Sequence, residues 1–314
     1  MTAKNTTAAG RLDLVLDADK LAALERELGE RLTAEEAALP KPAGEATLFA
    51  HSLRVARMAQ RLAEATPGAS REAAYLAGLL HDAGKLARLQ QTCSDVREEV
   101  RSAEAARELI GRCGLDAGLA REVAAAIHEL YLEEVTPSLS TRLVSDADNL
   151  DKLGLGGVAV FFVKQGLRGI GLGPRLLSEV GVELTYALHA ERAMWTDAGR
   201  ELAAERALES FRFFRAFVRS VRADGVYRFR VRKLVYEQTE LYVVAQERCA
   251  CGGTIGFEVS SAAGNKCTLL KVRQSCRRCD WQLTTEMCRP RVAATAATAL
   301  PPDSSLRGGD GECE

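Results

Sequence analysis

The chain is predicted to be mainly α, a helical bundle followed by a small β domain. Three observations predict this. From about residue 45 to 222 the sequence is rich in Ala, Leu, Arg and Glu, with apolar residues at helical spacing. Near Ala223-Asp224-Gly225 the pattern changes, and Val226-Tyr227-Arg228-Phe229-Arg230-Val231-Arg232 alternates apolar and basic with a period of two. Four cysteines then fall in two close pairs, Cys249 with Cys251 and Cys276 with Cys279.

The elements follow in order. Residues 11–38 place Leu14, Leu21, Leu24, Leu28 and Leu32 on one stripe among charges, which reads as a helix, and Pro40-Lys41-Pro42 ends it. Breaks at Thr66-Pro67-Gly68, Cys113-Gly114, Thr136-Pro137 and Gly171-Leu172-Gly173-Pro174 divide the next stretch into roughly seven or eight helices. The apolar run from Leu153 to Ile170 is interrupted by Lys164, Arg168 and glycines, so it reads as a buried helix ending in a Gly-rich turn rather than a membrane span. Leu241-Tyr242-Val243-Val244 reads as a further strand. The expected organisation is an N-terminal helical segment (1–40), a helical domain (41–222), a β-rich domain (223–289) and a disordered Ala, Thr, Ser, Gly and Pro tail (290–314).

At 314 residues there is room for two domains, and 47% hydrophobic content is ordinary for a globular protein. A net charge of −1 gives no bulk preference for nucleic acid. No apolar segment follows Lys4, so the expectation is a cytoplasmic protein without membrane association. Nine cysteines, four of them closely paired, suggest metal binding over disulfides in that setting.

The chemistry centres on His81-Asp82, within Leu79-Leu80-His81-Asp82-Ala83-Gly84-Lys85. A helix that is apolar through Tyr75, Leu76, Leu79 and Leu80 has little reason to bury an imidazole beside a carboxylate unless a cation neutralises the latter. His51 upstream and the cluster Asp146-Ala147-Asp148-Asn149-Leu150-Asp151 downstream supply further nitrogen and oxygen donors. Such a set suits one divalent Mn, Fe, Co, Ni, Mg or Zn ion and leaves positions open for water and substrate.

His51, His81-Asp82 and Asp146, in that order, resemble the H…HD…D signature of the HD superfamily of metal-dependent phosphohydrolases. His51-Ser52-Leu53-Arg54-Val55-Ala56 is similar to that family's first-histidine helix, and His81-Asp82-Ala83-Gly84-Lys85 to its central HD-x-GK turn. Val144 to Gly154 resembles the DAD-x-LD-x-x-G ending of small bacterial members. The likeness spans about residues 45–220. It implies metal ligation by His51, His81, Asp82 and Asp146, the first Asp of the run; chemistry alone leaves Asp148 open.

The implied reaction is hydrolysis of a phosphomonoester or phosphoanhydride of a nucleotide or similar small metabolite by metal-activated water. Asp82 is a ligand that can also accept a hydrogen bond from the water. Lys85, four residues beyond His81, is expected on the same helical face to meet phosphate, with Arg54 a weaker phosphate contact. His128, at a position where the related subgroup carries a histidine, is the candidate general acid. A non-catalytic nucleotide sensor and a nuclease acting on single strands are the alternatives.

Cys249, Cys251, Cys276 and Cys279 look like the two knuckles of a zinc ribbon, a closed structural site. The first pair is C-x-C rather than C-x-x-C, so Cys267 or Cys288 stands as a substitute ligand. Arginines interleaved with aromatics from Phe211 to Lys233 offer nucleic acid as a partner, but an amphipathic helix followed by an alternating strand is the preferred account.

Overall fold

The computed structural model describes residues 16–39, 48–86, 96–130, 132, 136–264 and 267–290. The predicted disordered tail and the start of the N-terminal segment fall outside these. Packing divides the chain into two compact units, one of residues 1–151 with 163–168 and one of 152–162 with 169–314. The division lies well before the change in composition at 222–223.

The first unit contains α1 (Ala18–Ala37), α2 (Leu48–Glu64), α3 (Arg71–Leu80), α4 (Glu98–Arg112), α5 (Ala117–Glu129) and α6 (Leu139–Asp151). Local chemistry starts several of them. Asp17, Ser70 and Asp116 each accept a hydrogen bond from a first-turn backbone N–H of α1, α3 and α5. The leucine stripe of α1 is buried as expected at Leu21, Leu24, Leu28 and Leu32. Helix α2 packs on α3 and α6, and α3 also meets α4, α5 and α6, so α3 is buried from Ala73 to Leu80. Buried Tyr75 donates its hydroxyl hydrogen bond to Glu25, which links α3 to α1.

Two glycines allow the close approaches that shape the centre of this unit. A Cβ on Gly78 would lie 2.9 Å from the Ala56 Cα and 3.1 Å from the Val55 carbonyl oxygen, so α2 and α3 touch backbone to backbone. A Cβ on Gly84 would lie 2.6 Å from the Ser102 nitrogen, where the Gly84 N–H donates to the Ser102 hydroxyl. Because Gly78 sits one turn before His81, and Ala56 just over one turn after His51, this contact sets how near the two imidazoles come. Gly78→Ala is therefore expected to destabilise by about 1–3 kcal/mol through overpacking and to weaken metal binding at the same time. An unchanged thermal midpoint with unchanged metal affinity would refute both.

The second unit contains α8 (Pro174–Ala193), α9 (Asp197–Ala223) and five strands, with α7 (Gly154–Leu167) running across the division. The nine helices and five strands of the described residues bear out a mainly α chain with a small β region. Strands β1 (Phe229–Tyr236) and β2 (Thr239–Gln246) form an antiparallel hairpin. Its two-residue turn, Glu237-Gln238, has φ values of 43° and 65°, the handedness that a tight hairpin needs. Strands β3 (Ile255–Ala263), β4 (Thr268–Cys276) and β5 (Gln282–Cys288) make an antiparallel sheet in the order β3-β4-β5.

Alternation in β2 buries Leu241, Val243 and Ala245 against Leu270, Val272 and Met287. Helix α9 turns Phe214, Val218 and Val221 onto a cluster with Leu177, Val180, Leu184, Phe229 and Val244. The amphipathic account of the Arg- and Phe-rich stretch thus holds for its apolar face. His189 has a structural role, bonding the Glu240 carbonyl at 2.7 Å.

Candidate metal centre

Three helices converge on the histidines. His51 lies in α2, His81 caps the C-terminus of α3, and Asp148 lies near the end of α6. One donor atom from each falls within 4.8 Å of the others. Nε2 of His51 is 3.4 Å from an Asp148 oxygen. An Asp82 oxygen stands 3.7 Å from that Nε2 and 3.5 Å from Nε2 of His81. The acidic side chains and His81 are buried, and His51 is half-buried.

Both rings are oriented from behind. His81 Nδ1 donates to the Gly78 carbonyl at 2.8 Å, and His51 Nδ1 donates to Asp151 at 2.8 Å. With each Nδ1 engaged from behind, each Nε2 faces the carboxylates and is the nitrogen a metal would take. Asp151 is in turn gripped bidentately by Arg54, at 2.7 and 2.9 Å. Burial pushes the Asp151 carboxyl up, but the hydrogen bonds from His51 and Arg54 outweigh it and bring it down to about 2. Burial likewise raises Asp82, and Asp148 adds to this, yet His81, Lys85 and His51 together hold it well below the usual carboxylate range.

Several expectations are revised. The structure brings Asp148, not Asp146, into the group; Asp146 is fully buried two residues earlier, about 200° around the helix. Lys85 does not reach its place along a helical face. Helix α3 ends at Leu80, and residues 81–86 form tight turns, with Ala83 N–H bonding Leu80 and Lys85 N–H bonding Asp82. Those turns fold Lys85 Nζ onto Asp82 at 2.7 Å. Arg54, expected at phosphate, is engaged by Asp151. His128 is exposed in the last turn of α5 and is not a member of the His51, His81 and Asp148 group. Sequence reading missed Asp151 as the group that orients His51, although its spacing of three from Asp148 places both on one helical face.

The residues present fit a divalent cation. Two imidazole nitrogens and two close carboxylates form a hard and borderline donor set of the kind that holds such an ion. Asp151→Asn removes the charge that holds the His51 tautomer, and is expected to lower metal affinity by about 10–100-fold. Competition titration against a chelator measures this, and unchanged affinity would exclude the orienting role.

Residues 48–153 match the family model described as HD domain. Those residues form an HD domain. Similar solved structures include Bacillus subtilis YpgQ in complex with ADP, at 22% identity, covering 66% of this chain and 95% of that one, with a TM-score of 0.47. A predicted HD superfamily hydrolase from an uncultured Thermotogales bacterium is 22% identical, covering 64% of this chain and 92% of that one, with a TM-score of 0.43. The Lin1889 protein of Listeria innocua is 15% identical, covering 63% and 97% respectively, with a TM-score of 0.42. A search of curated proteins finds no match.

Outside the HD domain, Cys249, Cys251, Cys276 and Cys279 form a second group of converging donors and complete a zinc-ribbon-like domain. Sulfur pairs Cys249–Cys279 and Cys251–Cys276 are each 3.4 Å apart. The Gly252 N–H bonds the Cys249 carbonyl, and the Arg278 N–H donates to the Cys276 sulfur at 3.3 Å, so each cysteine pair sits in a tight knuckle. That backbone donor draws the Cys276 thiol down to about 6. The Trp281 N–H acts the same way on Cys279, but Cys249, Cys251 and Cys276 outweigh it and push that thiol up to about 12. Four thiolates this close need a cation to ionise together, and four sulfurs suit zinc. Cys267 and Cys288 do not substitute as ligands, because they are disulfide-bonded to each other.

Among the described residues, no helix is long and apolar enough to cross a membrane.

Proposed function

We propose that this protein is a metal-dependent phosphohydrolase that cleaves a phosphomonoester or phosphoanhydride of a nucleotide or similar small phosphorylated metabolite. The observation that carries this reading is the pair of Nε2 atoms facing Asp82 and Asp148 across one pocket of charge. His51, His81, Asp148 and Asp82 would hold the ion. When bound, a divalent cation lowers the pKa of water and polarises a phosphoryl oxygen. Asp82, paired with the Lys85 ammonium, accepts a hydrogen bond from the attacking water and orients it. Lys85, its Nζ tethered to Asp82 by a short turn, places an ammonium charge beside the position a phosphoryl group would take. Asp151 and Arg54 act behind His51, holding its ring and tautomer. In the second unit the cysteines would hold a structural zinc.

The test is turnover of a panel of phosphorylated metabolites by protein stripped of metal and then reloaded with Mn, Fe, Co, Ni, Mg or Zn. Metal-dependent release of inorganic phosphate or pyrophosphate is the expected result. Phosphate release that is indifferent to chelation would reject the proposal.

A further inference from the structure

A cavity of about 470 Å³ opens in the second unit between the end of α9 and the start of β1. Arg219 and Arg222 line it from α9 and Arg228 from the connection to β1, and the single acid at its wall is Glu247. That acid is already shared, since it pairs with Arg222 at 2.7 Å and also with Arg230. Among the described residues no carboxylate pairs with Arg219 or Arg228, and both are exposed. Guanidinium groups from two separate elements therefore crowd one opening without enough negative charge to balance them.

The cavity continues into a longer feature. Arg212, Arg215, Arg219 and Arg222 recur at spacings of three, four and three on α9, which puts them on one face over about 15 Å. Phe214, Val218 and Val221 occupy the buried face, with Phe211 and Phe217 partly packed against it, which leaves the four arginines of this stripe unexplained by burial. Residues 211–233 hold eight basic side chains and one acidic one, Asp224, in a chain whose net charge is −1. A row of guanidinium groups at helical-turn spacing, ending in an arginine-lined cavity, matches a linear array of phosphates better than a single anion.

We propose that the α9 stripe and the Arg219–Arg222–Arg228 cavity bind the phosphate backbone of a nucleic acid. The contacts would be made by charge and bidentate hydrogen bonds, so binding would depend little on base sequence. This surface does not depend on the hydrolase reading of the HD domain.

The experiment is fluorescence anisotropy of the full-length, zinc-loaded protein with labelled single- and double-stranded oligonucleotides of mixed sequence over a salt series. Inorganic phosphate and a mononucleotide serve as competitors. The expected result is binding that weakens steeply with salt. In the double variant Arg219→Ala, Arg228→Ala, affinity should fall by roughly tenfold or more at low salt. The slope of log K against log salt should shrink by about 1.4 for a single strand. Arg273→Ala, which removes an exposed arginine paired with Glu258 on β4, should leave both quantities unchanged. No detectable binding would overturn the proposal. A slope unaltered in the double variant, or lowered equally by Arg273→Ala, would do the same. Competition by the mononucleotide at the affinity of the strand itself would show a single-anion pocket, which also overturns it.

Discussion

On the phosphohydrolase reading, His81→Ala is expected to abolish divalent-ion binding at the His51, His81 and Asp148 group and to lower phosphate release by about three orders of magnitude in rate. The size follows from the several kcal/mol that a metal supplies to phosphoryl chemistry, at 1.36 kcal/mol per tenfold. His81 is buried at the end of α3, with its Nδ1 fixed on Gly78 and its Nε2 facing Asp82, so no neighbouring side chain can rotate into its place. Because truncation of a buried ring also leaves a cavity, Asp82→Asn provides the companion variant of nearly equal volume. It should lose the same activity while keeping a helical circular dichroism spectrum. Elemental analysis, a phosphate-release assay and the spectrum together distinguish lost chemistry from lost fold. Activity retained in both variants would remove this group of residues from the reaction.

The second large effect concerns stability. Cys276→Ser, or a strong chelator applied to the native chain, is expected to unfold the β3-β4-β5 region while the HD domain stays helical. The small sheet has a core of only a few side chains, chiefly Leu270, Val272 and Met287. Structural zinc contributes about 10–16 kcal/mol of binding energy in small ribbons, comparable with the whole stability of a domain. Cys276 should be the most sensitive of the four positions, since its sulfur accepts the Arg278 N–H and lies 3.4 Å from Cys251. Zinc release measured with a colorimetric chelator, with thiol accessibility and hydrogen exchange of β3 to β5, gives the readout. Full exchange protection of those strands in zinc-free protein would show that the sheet folds without metal.

The HD centre was legible in part because its residue types contradict their surroundings. An imidazole and a carboxylate after four buried apolar residues need a partner, and His51 and the acidic cluster were the available donors. The choice between Asp146 and Asp148 was not legible in the same way. Both lie on α6, about 200° apart, so the rotation of that helix decides which one meets the histidines. That rotation is set by Leu143, Val144, Ala147 and Leu150 seating in the core. Lys85 Nζ comes onto Asp82 by a route that helical periodicity did not suggest, because the glycine at position 84 lets the chain turn against α4. Arg54 shows the converse. Its position one turn after His51 suggested a phosphate contact, but its guanidinium is directed at Asp151.

By itself the sequence determined the α-then-β order, the two groups of metal-binding residue types and the apolar faces of the helices. These follow from local periodicity and from the cost of burying unmatched polar groups, both written in short stretches of chain. Only the tertiary structure decided which carboxylate faces the histidines, which acid orients His51, how Cys267 and Cys288 pair with each other, and where the arginines of α9 meet Arg228. Each of these depends on side chains from distant segments sharing one small volume, and the rotations and close approaches that bring them together are set by packing across the core.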